Sequence, residues 1–206
     1  MMSRLYRVGL ELVIENSCRN ELDCRKSIIH ILKETRGEDK WNGPDGNGNQ
    51  VNWREDLHLS QWDGESYGDK RIQVDVNGMI KELFLRYLGL RYDLPDLIGN
   101  LSSLTALYVY NNQLTSLPNS IGNLTSLTRL YVRNNQLSSL PDSISNLTSL
   151  ADLDVSCNQL SSLQDSISNL TSLTGLNVYD NPITTTQEGK DEVTRRFGRP
   201  GLTLVV

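Results

Sequence analysis

Residues Leu101 to Asn123 read LSSLTALYVYNNQLTSLPNSIGN, and the chain then repeats itself. Leu124 to Asn146 read LTSLTRLYVRNNQLSSLPDSISN, and Leu147 to Asn169 read LTSLADLDVSCNQLSSLQDSISN. The period is 23 residues. A further copy begins at Leu170 (LTSLTGLNVYDNPIT) and degenerates after Ile183. An earlier copy, from about Asn77 to Asn100, reads NGMIKELFLRYLGLRYDLPDLIGN and carries one extra residue near Arg91–Asp93. Self-similarity at a fixed period of this length is the signature of stacked repeats, because one such unit cannot enclose a core alone.

The shared frame is LxxLxxLxVxxNxLxxLPxxIxN, and each position has a physical reason. The Leu-x-Val unit (Leu107 and Val109, Leu130 and Val132, Leu153 and Val155, Leu176 and Val178) alternates with period two, which predicts a short strand with one buried face. Copies of that strand stack about 4.8 Å apart as a parallel sheet. Asn112, Asn135, Asn158 and Asn181 follow the strands. An amide side chain carries donors and an acceptor, so at a turn into the core it satisfies backbone groups that would otherwise be buried unpaired. Leu114, Leu117 and Ile121, with their equivalents, point inward from the opposite side. Pro118 and Pro141 sit where no ladder hydrogen bond is donated. Each repeat brings about seven aliphatic side chains, each contributing roughly 1.5–3 kcal/mol on burial.

This frame resembles the leucine-rich-repeat family over about Met79 to Ile183, and its wording is similar to plant and protist repeats. The resemblance implies an α/β solenoid. That solenoid is a right-handed superhelix with a parallel sheet on its concave face and short helical or irregular segments on the convex one. It also implies protein recognition and carries over no catalytic residue. On this reading residues 1–76 form an N-terminal capping region, 77–184 hold about five repeats with the last degenerate, and 185–206 form a C-terminal cap of helix and strand.

Solenoid ends must be covered. Residues 3–16 and 21–36 read as two helices, followed by the loop WNGPDGNGNQVNW and by Trp53, Leu57, Leu59 and Trp62, bulky anchors suited to plugging the first repeat. Arg71 to Val76 alternates as a strand, Asn77-Gly78 signals a hairpin turn, and Met79 to Leu85 returns, so the cap extends the sheet as an antiparallel edge. The stretch around Trp62-Asp63-Gly64 resembles the cap module of such repeats. In secreted plant relatives that module carries a cysteine pair, and its absence here points to a reducing compartment. At the far end Thr185 and Glu188 suggest a capping box, Gly198 a helix stop, and Leu202 to Val206 a last strand.

Strand positions outside the core frame are free to serve a partner. One column runs Phe84, Tyr108, Tyr131, Asp154, Asn177; its neighbour runs Arg86, Tyr110, Arg133, Ser156, Tyr179. With Arg129, the first three strands form a Tyr/Arg patch, and these are the residues most enriched at binding hot spots. Asp152, Asp154 and Asp180 turn the last two strands acidic. The candidate partner-binding residues are therefore Phe84, Arg86, Tyr108, Tyr110, Arg129, Tyr131, Arg133, Asp152, Asp154 and Tyr179. A partner with an apolar or acidic end and a basic end matches this polarity.

The net charge of −5 argues against nucleic acid, which is met by basic faces. No run of about 18 apolar residues suggests a membrane span. The opening MMSRLYRVGLELVIENS is interrupted by Arg7, Glu11 and Glu15 and lacks a signal-peptide core. Cys18, Cys24 and Cys157 make an odd count, read as reduced thiols, with Cys18 and Cys24 able to pair only if the chain is exported. Asp45, Asn47, Asn49 and Asp56 echo a calcium loop, but Gln50 stands where glycine is needed. His30 and His58 have no zinc spacing, and no nucleophile or phosphate motif appears. The expectation is a non-enzymatic, cofactor-free, cytoplasmic monomer that binds a protein. The rival readings are a secreted or cell-surface recognition domain, with glycans at Asn100, Asn123, Asn146 and Asn169, and an enzyme regulator.

Overall fold

The computed structural model describes residues 72–76 and 79–206. The helices expected at 3–16 and 21–36, the anchors Trp53 to Trp62, both histidines, Cys18, Cys24 and the expected 77–78 turn lie outside the described residues.

Nine strands run along the described chain: β1 (Ile72–Val74), β2 (Ile80–Phe84), β3 (Arg91–Asp93), β4 (Ala106–Tyr108), β5 (Gln113–Ser116), β6 (Arg129–Tyr131), β7 (Asp152–Asp154), β8 (Gly175–Asn177) and β9 (Thr203–Val205). Seven of them form one sheet in the order β1-β2-β4-β6-β7-β8-β9. β1 lies antiparallel to β2, as the alternation before Asn77-Gly78 leads one to expect, and all later pairs are parallel. The register is the sequence period made spatial: Leu83, Leu107, Leu130, Leu153, Leu176 and Leu204 are neighbours in one row. A second, two-stranded sheet pairs β3 with β5, and its register slips between Tyr92 and Asp93. That is the stretch where the first copy has its extra residue.

The seven core residues of the second copy, Leu101, Leu104, Leu107, Val109, Leu114, Leu117 and Ile121, are all buried, and so are their counterparts in the next two copies. They form one continuous cluster with Ile72 at one end and Val193 and Phe197 at the other. The wall opposite the sheet consists of short 3-10 helices, Asp96–Asn100, Asn119–Asn123, Asp142–Asn146 and Asp165–Asn169. Each is entered from Pro95, Pro118, Pro141 or Gln164, with φ between −72° and −69°. That is the value a proline ring imposes. Gln164 lacks the ring and instead donates its amide back to Leu140 O. Gly122 lets adjacent turns close up, because a Cβ there would lie 2.5 Å from Ser143 O.

Turns leave the strands by one device. Tyr87, Asn111, Asn134, Cys157 and Asp180 all have φ of 53–57°, a left-handed conformation that costs a residue with a Cβ about 1–2 kcal/mol. In the last four the next residue is the ladder asparagine. Asn135 Nδ2 donates to Val109 O and Val132 O at 3.0 Å and to Arg133 O at 3.3 Å, and its Oδ1 accepts from Leu114 N at 3.0 Å. Asn112, Asn158 and Asn181 repeat the pattern, each bonding its own repeat and the one before. The first copy has Leu88 in this place, buried in the core. The described neighbour of β2 on that side is the antiparallel β1.

The C-terminal helix α1 (Gln187–Phe197) corrects one expectation. Its cap is Thr186, whose hydroxyl accepts from Gly189 N at 3.1 Å. Thr185 instead donates to Pro182 O at 2.8 Å, so it is spent on the preceding turn and forms no box with Glu188. A capping box does occur one turn earlier, between Asn181 and Thr184. Arg196 donates to Leu163 O at 2.7 Å and Arg199 to Leu173 O at 3.2 Å, and both close carbonyls that no further repeat covers.

We expect Asn135→Ala to lower unfolding stability by about 2–5 kcal/mol, since it orphans buried carbonyls and an amide. Asn135→Asp is expected to be worse: it keeps the volume, loses every donor and sets a charge against three carbonyls. Urea midpoints of the two variants check both the size and the order.

Candidate partner-binding site

Three columns of side chains cross the outer face of the sheet, set by strand register. The first runs Glu82, Ala106, Arg129, Asp152, Gly175. Ala106 is small and fully buried, which lets Arg129 reach over it to Glu82 at 2.8 Å. A side chain at Gly175 would meet Asp152 Oδ1 at 2.6 Å. Glycine therefore leaves Asp152 room to accept a hydrogen bond from the Tyr131 hydroxyl at 2.5 Å.

The second column is aromatic over its first half. Phe84 and Tyr108 stack with centroids 4.6 Å apart and planes 4° from parallel, and Tyr108 meets Tyr131 edge-on at 5.3 Å. The third column places Tyr110 between two guanidinium groups, Arg133 at 4.9 Å and Arg86 at 6.0 Å from the ring centroid. Arg86 also lies 5.4 Å from the Phe84 ring and Arg129 5.9 Å from Tyr108. Tyr87 adds its ring edge-on to Tyr110 at 5.8 Å.

The geometry thus joins Phe84, Arg86, Tyr108, Tyr110, Arg129, Tyr131, Arg133 and Asp152 into one connected cluster. It does not bring in Asp154, whose Oδ1 accepts from Ser156 N and Oγ. Nor does it bring in Tyr179, which stands 54% exposed on the last repeat. Two members are absent from the sequence-based set, Glu82 and Tyr87. Glu82 was detectable from its column: an acid and an Arg on either side of an alanine at the repeat spacing predict a bridge across it.

Burial raises the Tyr131 hydroxyl to about 12, with the hydrogen bond to Asp152 and that carboxylate's charge adding to it. Burial also raises Tyr108, against the nearby Arg129 charge. The Cys157 thiol is pushed up by burial and then by Asp180, so it is a poor nucleophile. Among the described residues no group of His, Cys, Asp and Glu is placed to hold a metal, and no helix is long and apolar enough to cross a membrane.

A family model described as a leucine-rich repeat region matches residues 65–197. The chain belongs to the leucine-rich-repeat family. Among solved structures it is similar to a leucine-rich-repeat protein of Leptospira interrogans, with 27% identity and a TM-score of 0.51 over 61% of this chain. It spans 37% of that protein's length. The BIR3–SERK2 complex of Arabidopsis thaliana also matches at 27% identity and a TM-score of 0.51, covering 60% of this chain and 72% of that one. A plant ice-binding protein, 22% identical with a TM-score of 0.57 over 76% of this chain and 47% of its own, shares the fold alone. No curated protein matches the chain. The BIR3–SERK2 neighbour is a protein–protein complex.

The raised Tyr131 has a consequence at high pH. Its folded pKa of about 12 lies above the ordinary 10.0, so the folded state holds the proton more tightly. The associated stability is complete below about pH 10 and is lost as pH climbs through about 12. Alkaline unfolding followed by circular dichroism is expected to show this slope, and Tyr131→Phe to flatten it.

Proposed function

We propose that this leucine-rich-repeat chain is a non-enzymatic module that holds a protein partner on its concave face through the Tyr/Arg cluster. The observation that carries the reading is where the variation falls. At fixed core positions the repeats are nearly interchangeable, yet the outward strand positions are aromatic and cationic on three strands and acidic on the next two. Nothing in the repeat's own packing asks for that distribution. Tyr and Arg supply large contact area and directional donors, and clusters of them dominate binding energy at protein interfaces. Cys157 is a free thiol, which supports residence in a reducing compartment.

A second reading, a secreted or cell-surface recognition domain, is favoured by one feature. Asn123, Asn146 and Asn169 are exposed at the ends of successive 3-10 helices, each opening an Asn-Leu-Thr acceptor triplet. The two readings separate on the intact mass of protein from its source, with and without glycosidase. An unmodified mass supports the cytoplasmic reading, and a mass that drops on deglycosylation supports the exported one.

The binding reading is tested by affinity capture from the source lysate. Wild type is compared with a Tyr108→Ala, Tyr131→Ala, Arg133→Glu triple variant whose fold is verified by circular dichroism. We expect at least one protein to be retained by wild type and lost from the variant. Equal retention by both, or retention by neither, counts against the concave face.

A further inference from the structure

We propose that the occupant of the concave cluster is an extended peptide segment bearing carboxylates, whose acidic side chains lie over β2, β4 and β6 with Arg133 as principal anchor. This rests on the concave-face reading above and specifies its partner.

The argument begins with which parts of the aromatic rings remain available. Phe84 and Tyr108 are register partners on adjacent strands, and their centroid separation of 4.6 Å at 4° is about one strand spacing. Their ring normals therefore run along the solenoid axis, and their faces are turned on each other. Tyr131 stands nearly perpendicular to Tyr108 on its other side, 5.3 Å between centroids. Tyr110 has Arg86, Arg133 and Tyr87 around it. The facing sides of Phe84 and Tyr108 and the ring of Tyr110 are thus engaged inside the protein, and Phe84 and Tyr108 turn their rims toward the concavity. Rims are the electropositive part of an aromatic quadrupole, and faces the negative part. A ligand that stacks, such as a sugar ring or a nucleobase, finds the facing sides of Phe84 and Tyr108 already occupied. A carboxylate is attracted by the rim.

The cations point the same way. Arg133 is exposed. It contacts the Tyr110 ring and has no carboxylate partner among the described residues, so its donors are unspent. Arg129 commits one nitrogen, Nη2, to Glu82. Arg86 sits between the Phe84 and Tyr110 rings, on the same ring as Arg133. A planar guanidinium held against a ring presents its donor edge to an anion in a fixed orientation, which favours bidentate pairing with a carboxylate. Beyond β6 the sign reverses, with Asp152, Asp154 and Asp180 and no Lys or Arg at the outward positions of β7 and β8. That half repels acidic groups and so fixes which way the segment lies.

The test is selection of short random peptides displayed on phage against the full-length protein, run in parallel on Arg133→Ala and Tyr108→Ala, both checked for folding. The expected winners are rich in Asp and Glu. A synthesised winner is expected to bind wild type with an affinity that falls with added salt, about tenfold weaker to Arg133→Ala, and partly rescued in Arg133→Lys. Neutral or basic winners that are nevertheless lost on Tyr108→Ala would overturn the carboxylate proposal and leave the concave-face reading standing. Winners of any charge that bind both variants as tightly as wild type, or no enrichment at all, would sink both.

Discussion

The amide side chains of Asn112, Asn135, Asn158 and Asn181 hold the backbone of two repeats at once, and the rest of the architecture hangs on that bond set. A strand of three residues makes few ladder hydrogen bonds, and a turn that plunges from it into a leucine core would bury carbonyls with nothing to meet them. One asparagine answers the carbonyls of its own turn, a carbonyl of the preceding repeat and an amide of the preceding turn. Repeats are thereby locked at one spacing and in one register. The left-handed residue before each asparagine is the strain accepted for this. Cys157 adopts it before Asn158 although cysteine does not favour it, because the bonds around it determine the turn.

A fixed register converts sequence distance into contact. Glu82 and Arg129 are 47 residues apart and pair at 2.8 Å because two repeat steps bring them into one column with only Ala106 between. The same step stacks Phe84 on Tyr108 and sets Arg133 against Tyr110. The concave face is therefore a grid whose rows are strands and whose columns are repeat positions. Its chemistry can change freely without disturbing the core, since the inward Leu and the outward Tyr or Asp occupy opposite faces of the same strand.

The ends are solved by different chemistry from the middle. At the N-terminal side Leu88, buried in the core, stands where later repeats have the ladder asparagine, and the described neighbour of β2 there is the antiparallel β1. At the C-terminal side the core is closed by Val193 and Phe197 of α1. The last open carbonyls are met by Arg196 and Arg199, whose long side chains reach where no asparagine is available.

What the sequence by itself determined is nearly everything that repeats. The period, the buried leucines, the asparagine ladder, the hairpin edge before Met79 and the final strand follow from patterns of 2 and 23 in one chain, because those patterns are imposed by the pleat and by stacking. The two outward columns were legible for the same reason. The tertiary structure decided what depends on reach and orientation. It set which ring faces are consumed, which arginine is spent on Glu82 and which is not, that Tyr131 serves Asp152, and that Tyr179 and Asp154 stand apart from the cluster. It also moved the helix cap from Thr185 to Thr186, because the local sequence offers two adjacent threonines and only the packing of the preceding turn chooses between them. Period is a property of the backbone and survives projection onto a line of letters, whereas side-chain partnership is settled by distances across strands, which that line does not contain.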